Sequence, residues 1–432
     1  MGKRFDAVVV GAGPAGAAAA LGMAREGLSV LLIERGDTPG SKNMFGGMLP
    51  YCPAAEELLP GFWGKAPWER HVVKRVLTVI ARGSATSLAF DADAYDHPPY
   101  NGYTLFRPLF DRWLAEQALQ AGATLLCNTV VLDLLRSGGK IAGVRTGRPN
   151  GDIEAGVVVA CDGALSFLAE KAGLRKPFAP SLMAVGVKGL FRLSEEAINE
   201  RFGLVRDQGA TCEFLGCTEG VRGGGFIYTQ TETLSVGLVL HLDAMKQSGK
   251  APHELFERFL DMAPVRKLLK GARLVEYSAH LLPEGGYGMV PRLFTDGMLV
   301  AGDAAALCYT NGLNQEGMNL AITSGCLAAK TVREAFEQGD FSGKTLGPYE
   351  ARLKESFVLK DMKTFEKAVD WMHTDRLFSA YPQVVGTLLQ EIYRSDGTPK
   401  RKIGRIGRDA MKDAVSGRQL IADLIKGGRS LL

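Results

Sequence analysis

Two stretches of this chain carry residue types that do little for a core and much for a ligand. Near the start, Gly11, Gly13 and Gly16 stand as G-x-G-x-x-G between a β-branched run and an alanine-rich run. The first glycine makes the turn, the second lets backbone approach a pyrophosphate, and the third lets helix and strand pack closely. A helix opening there offers free N–H groups and a partial positive charge to phosphates. Glu34 closes the next apolar run, where a carboxylate binds ribose hydroxyls. The combination predicts dinucleotide binding; the alternative is a purely structural glycine turn.

The second stretch, 301–325, reads AGDAAALCYTNGLNQEGMNLAITSG. Asp303 follows a glycine at the end of an apolar run, and flexible residues precede a helical pattern. An acid and so many small residues at a strand-to-helix hand-over suit a large phosphorylated ligand lying across that end. The alternative for Asp303 is an N-cap of the next helix. The seven cysteines are scattered and form no C-x-x-C pair, which argues against an iron–sulfur or zinc site. They fit a reducing compartment. Cys212 and Cys217 have the C-x4-C spacing of some redox-active disulfides, but lie far downstream of the nucleotide motif where such a pair is expected.

The elements that must hold these residues follow from periodicity. Val8–Val10 and Val30–Ile33 read as buried strands, with a helix of small residues over Ala15–Ala24. Residues 41–105 read as irregular, with a strand at 72–80. A helix starts at Pro108 and ends before Gly122. Strands are predicted at 124–134 and 141–146, and AGVVVACDGALSFLAEKAG repeats the strand–turn–helix pattern. Over about 180–285, strands separated by longer loops predict a second, mainly antiparallel sheet. Beyond about 345 the chain reads as helical and charged.

Composition bounds the function. The chain has 432 residues, 46% hydrophobic and 23% charged, with a net charge of +4. This describes a globular protein of two or three packed units, with no nucleic-acid partner. Residues 7–24 are uncharged and touch the length of a membrane span. That run holds four glycines and a proline, and the nucleotide turn explains it. No spanning segment is expected, so membrane contact would be peripheral.

LVAGDAA (299–305) resembles the element of glutathione-reductase and hydroxylase-type flavoproteins whose aspartate holds the ribityl chain of the flavin. The resemblance gives Asp303 that role. It also implies that the helix starting near Glu316 points its positive end at the flavin N1–C2=O edge. ACDGALS (160–166) resembles the Asp-Gly motif of the same superfamily. Arg107 stands where the superfamily places an arginine near the flavin; the alternative is a surface arginine before a helix. The cofactor implied is FAD. No second strand-flanked G-x-G-x-x-G is present, so no separate NAD(P)H domain is expected.

The resemblance narrows further. GSKNMFGGML (40–49), LLPEGGYGMVPRLFTDGMLVAGDAAAL (281–307) and TNGLNQEGMNLAITSG (310–325) resemble FixC, over about residues 3–350. FixC is the quinone-facing flavoprotein subunit of the Fix/Etf electron-bifurcating system, related to electron-transfer-flavoprotein:ubiquinone oxidoreductase. The resemblance implies an α/β fold with a Rossmann-like FAD-binding domain of the hydroxylase type (1–180 plus 285–345). It implies an inserted, mainly antiparallel quinone domain (181–284, with 45–105 contributing in part) and a helical C-terminal region (346–432). Further cofactor contacts are implied at Pro14, Ala15, Arg35, Gly46, Gly47, Val131, Gly163, Gly312, Gly317 and Met318.

RGGGFIYT (222–229) resembles the family's G-G-x-F-x-Y stretch, which puts the backbone of Gly223 and Gly224 at a quinone carbonyl; the alternative is a plain β-bulge. Implied partners are an electron-transfer flavoprotein dimer of the FixA/FixB type, a ferredoxin-like FixX subunit, and a membrane quinone. FixX would supply the cluster that larger relatives append. The expected location is the cytoplasmic membrane face. No catalytic residue is assigned; Glu316 and Tyr228 are the candidate proton donors. Competing readings are a geranylgeranyl reductase, an aromatic hydroxylase and a non-enzymatic flavin-bearing scaffold. The first is disfavoured because GFIYTQTETLSVG lacks the tryptophan and proline of Y-x-W-x-F-P. Residues 400–432 carry nine Lys/Arg against three Asp, a net charge of +6.

Overall fold

The computed structural model describes residues 4–42, 46–312 and 314–431. Two sheets organise the molecule. In the first, Phe5–Val10 lies between Val30–Ile33 and Asp152–Ala160, all parallel, with Thr124–Leu126 beyond the former and Met298–Val300 beyond the latter. These strands are short, β-branched and buried, as expected for a parallel sheet covered on both faces. The hairpin of Val131–Ser137 and Lys140–Thr146 extends from the start of Asp152–Ala160.

Helix Pro14–Arg25 is almost wholly buried. Its small residues have a packing reason: helix Met318–Gln338 lies directly against it. A Cβ on Gly325 would sit 2.2 Å from the Ala15 carbonyl, and one on Gly22 would sit 2.7 Å from Ala329 Cβ. Only glycine and alanine permit that approach. The helix that bears the first nucleotide motif and the helix that follows Asp303 are thereby locked together.

The second sheet has nine strands and is mainly antiparallel. Met183–Arg192, Thr233–His241, Gly223–Thr229 and Gln208–Leu215 follow one another across it, with Arg273–Pro283 at one edge. Residues 41–105 are far less irregular than expected. Within them Gly46–Pro50, Trp68–Ala81 and Ser84–Asp91 are strands, joined by Gly102–Phe106, and all four belong to this sheet. The strand expected at 72–80 is the middle of Trp68–Ala81, whose full length is hidden because its burial does not alternate. It also runs parallel to Gln208–Leu215, the exception in the sheet.

Other expectations need correction. The predicted strand 124–134 is two strands in different places, separated where Asn128 turns the chain at φ +52° and its N–H bonds the Gly36 carbonyl at 2.7 Å. Several "loops" of 180–285 are helices, among them Glu195–Phe202 and Pro252–Asp261, which cover one face of the second sheet's own core. Past 345 the chain is helical as expected, ending in Ile403–Ala414 and Gly417–Leu431.

Candidate functional site

The carboxyl ends of the parallel strands converge on one corner of the first sheet. There the three motif glycines have three separate physical causes. Gly11 holds φ +98°, and a Cβ on it would lie 2.2 Å from the Cys161 carbonyl. A Cβ on Gly16 would lie 1.8 Å from the Gly11 carbonyl, so strand and helix touch there. Gly13 is different. Its φ of −77° and ψ of −174° suit any residue, and the nearest atom to a Cβ would be Arg107 Nη2 at 3.9 Å. Nothing in the chain requires glycine at 13. Open space over an uncapped helix N-terminus, begun by Pro14, Ala15 and Gly16, fits a pyrophosphate.

Glu34, at the end of its strand, is buried and accepts from Ala12 N–H at 3.0 Å and Gly36 N–H at 2.7 Å. The carboxylate thus ties the glycine turn to the end of the second strand. The chain passes again at Thr129, whose N–H bonds the Glu34 carbonyl at 3.0 Å, and Val131 follows two residues on. Gly163, at φ +83°, sits in the turn after Asp152–Ala160; its neighbour Asp162 leaves one buried carboxylate oxygen without a hydrogen-bond partner among the described residues. Arg35 is exposed beside this corner.

Asp303 follows Met298–Val300 in a single 3-10 turn and is not the cap of the long helix, which starts later, at Met318. Gly317 caps that helix with no side-chain bond, leaving its first N–H groups free for a ligand. Burial pushes the Asp303 carboxyl up, while His280 and Arg107 pull it back. Arg107 opens its helix and makes a bidentate pair with buried Asp111, both bonds at 2.8 Å. That fixes the guanidinium over Gly13 and facing Asp303, so it is no loose surface arginine.

Gly46 and Gly47 connect this corner to the second sheet. A Cβ on Gly47 would contact Met318 Sδ at 3.4 Å, and the Gly46 carbonyl accepts from Lys188 Nζ. Lys188 is buried, 5.2 Å above the Phe226 ring. Burial first, and then Arg107, push its pKa down to about 7.

Beyond this corner, along the second sheet, lies a cavity of about 180 Å³ that opens to solvent. Gly223, Gly224 and Gly225 form one wall, with Phe226 and Tyr228 further along the same strand. Gly223–Thr229 pairs with Thr233–His241 in unbroken register, so the glycines are not a β-bulge. Gly223 holds φ +147° with Val239 carbonyl 2.0 Å from where a Cβ would be; Gly224 has more room, 3.1 Å from the Phe214 carbonyl. The opposite wall is the hairpin of Tyr309–Thr310 and Gln315–Glu316, including Gly312, which leads into the Met318 helix.

Both proton-donor candidates, Glu316 and Tyr228, therefore face the cavity that also holds the glycine pair. Burial raises the pKa of each. His241 lines it too, with a buried Nδ1 that has no hydrogen-bond partner among the described residues. Cys212 and Cys217 are both buried free thiols, held up to about 12 by burial, which speaks against a redox pair.

Residues 6–174 and 100–331 match two FAD-dependent oxidoreductase families, and residues 368–432 match the ETF-QO/FixC family C-terminal domain. The chain is 41% identical to the probable electron transfer flavoprotein-quinone oxidoreductase YdiS of Escherichia coli K12, over 99% of each chain. The chain belongs to the FixC family. It is also 41% identical to Protein FixC of the same strain, over 96% of this chain and 98% of that one. Among solved structures, a geranylgeranyl bacteriochlorophyll reductase-like protein of Thermoplasma acidophilum superposes with a TM-score of 0.74 at 22% identity, covering 98% and 99% of the two chains. The halogenase CndH superposes at 0.68 and 19%, covering 96% and 99%. These two show the fold.

This FixC-family chain is thus an FAD-dependent oxidoreductase with the hydroxylase-type fold. Bound FAD supplies the electron chemistry; the chain positions it and shapes what reaches it. Motif reading missed Lys188, His280, Arg75, Glu213, His241 and Glu284. Lys188 alone left a signal, a lysine inside the otherwise apolar strand MAVGVKGLF.

Proposed function

We propose that this chain passes electrons from an electron-transfer flavoprotein through FAD to a membrane quinone bound in the cavity of the second sheet. The observation that carries this reading is spatial. The glycine pair expected at a quinone carbonyl, a half-apolar cavity open to solvent, and the hairpin leading into the Met318 helix share one enclosure. A quinone needs an apolar slot with a few polar groups at its oxygens, and these walls supply both.

In this reading the pyrophosphate lies at Gly13, the ribityl chain at Asp303 and the isoalloxazine by Gly46, Gly47, Gly317 and Met318. Arg75 and backbone of the glycine strand hold the quinone head. FixA/FixB-type and FixX-type partners, and bifurcation by the assembled complex, complete the proposal.

A peripheral place on the cytoplasmic membrane face fits the C-terminal helices. Among the described residues no helix is long and apolar enough to cross a membrane. Yet Ile403, Ile421, Leu424 and Ile425 are each more than half exposed, beside exposed Arg405, Arg408, Lys412 and Arg418. Apolar side chains flanked by cations suit an anionic bilayer surface. The test is reconstitution with an electron-transfer flavoprotein dimer, a ferredoxin-like partner and quinone-bearing vesicles. Quinol should form only when the flavoprotein dimer is present and reduced. Equal quinol formation without it would contradict the proposed electron donor.

A further inference from the structure

Reducing a quinone takes two electrons and two protons, so the cavity must offer an acid at a place the quinone oxygen can reach. Three carboxyl groups line it: Glu213, Glu284 and Glu316. Burial raises the pKa of all three. They differ in their partners. Arg75 stands 4.0 Å from Glu213 and also draws Glu316 down, and Glu316 accepts from Asn319 Nδ2 at 2.7 Å. In those two, a cation or an amide donor offsets part of the effect of burial.

Glu284 has no cation acting on it among the described residues; its partner is the neutral amide of Gln315. The result is a pKa of about 7. The position is firm, because the Glu284 N–H bonds the Leu182 carbonyl at 2.8 Å at the end of strand Arg273–Pro283. That strand also carries His280, which faces Asp303 and Arg107, four residues earlier and on the same face. One strand therefore runs from the flavin corner to the cavity.

We propose that Glu284 is the proton donor to the quinone, a role that rests on the quinone reading above. The Glu284 O–H bond breaks as an O–H bond forms on the quinone oxygen. Bound FAD, once reduced, would supply the electron pair and the second proton that complete the conversion of quinone to quinol. The carboxylate left behind takes its next proton from solvent through the open cavity. Titratable and charged groups facing Glu284 across the cavity are Arg75, Glu213, Tyr228, His241, Glu316 and, beside Gln315, Cys308. With a midpoint near neutrality, the acid is partly protonated at pH 7 and matched to its task.

The experiment follows re-oxidation of the dithionite-reduced holoprotein by a short-chain benzoquinone and, separately, by ferricyanide, which takes electrons but no protons. The quantity read is the ratio of the two rates against pH. In the native protein it should fall as pH rises through about 7. In E284Q it should be at least about 100-fold lower at pH 7 and flat with pH. Q315L, which removes the bond that lowers the pKa, should shift the native midpoint to higher pH.

Infrared difference spectra of the holoprotein give a second readout: a protonated-carboxyl band titrating near pH 7, absent from E284Q. A ratio and pH profile in E284Q matching the native protein would overturn the role of Glu284 while leaving the quinone reading standing. A native holoprotein that reduces ferricyanide but no quinone would overturn both.

Discussion

Replacing Gly13 with alanine separates what the fold needs from what the cofactor needs. At Gly11 and Gly16 an added Cβ would lie 2.2 Å and 1.8 Å from backbone oxygens, so those variants break the fold before they test binding. At Gly13 the backbone is extended, and the added Cβ meets only Arg107 Nη2 at 3.9 Å. Loss of unfolded-state freedom stabilises G13A by about 0.4–1 kcal/mol, and the poorer N-cap offsets a few tenths. Flavin-free G13A should therefore melt within a few degrees of flavin-free native protein. Its FAD affinity should fall at least about 100-fold, because the methyl takes the place of a pyrophosphate oxygen. Thermal unfolding of both flavin-free proteins, with fluorescence titration by FAD, reads the two quantities separately. Stoichiometric flavin in purified G13A would refute the assignment. A large loss of stability without FAD would show that Gly13 is structural.

Other residues have equally direct tests. Asp303→Ala should weaken FAD binding by roughly 1.5–3 kcal/mol, the worth of charge-assisted hydrogen bonds; unchanged affinity would remove Asp303 from the cofactor site. Gly224→Ala needs only a small adjustment against the Phe214 carbonyl 3.1 Å away, and should slow quinone reduction with the flavin spectrum intact. Gly223 cannot serve, since any side chain there strikes Val239 and breaks the strand pairing. Lys188→Met should stabilise the flavin-free protein at pH 7, because it removes a buried amine that the fold holds against its charged form. The folded pKa is lowered from 10.5 to about 7, so as pH falls between those values the unfolded chain gains a proton the fold refuses. Native stability falls across that window, and the advantage of K188M should grow across it. Parallel pH curves would contradict the account of Lys188.

The glycine turn was legible because its parts are local: a strand, three glycines and Glu34 lie within one short unit, although the crowding at Gly11 comes from Cys161, far along the chain. Asp303 was legible by resemblance, and its separation from the Met318 helix is visible only in three dimensions. The cavity was half legible. Its glycine pair sits in one strand, but Arg75 and Glu213 come from within two other strands and His241 and Glu284 from the ends of two more, all far apart in sequence, and sheet pairing brings them together. Residues 41–105 misled for a related reason: their strands are buttressed by an aromatic cluster around Trp63, Trp68 and Tyr103, so they show little periodicity of their own.

In the proposed function the cavity in the second sheet accepts a quinone and hands it electrons from FAD. Anaerobic mixing of the reduced holoprotein with a short-chain benzoquinone, with native and G224A proteins side by side, tests it most directly. Flavin re-oxidation should be matched mole for mole by quinol, fast in the native protein and slowed in G224A. Re-oxidation that yields no quinol, or that proceeds at the same rate in G224A, would contradict it.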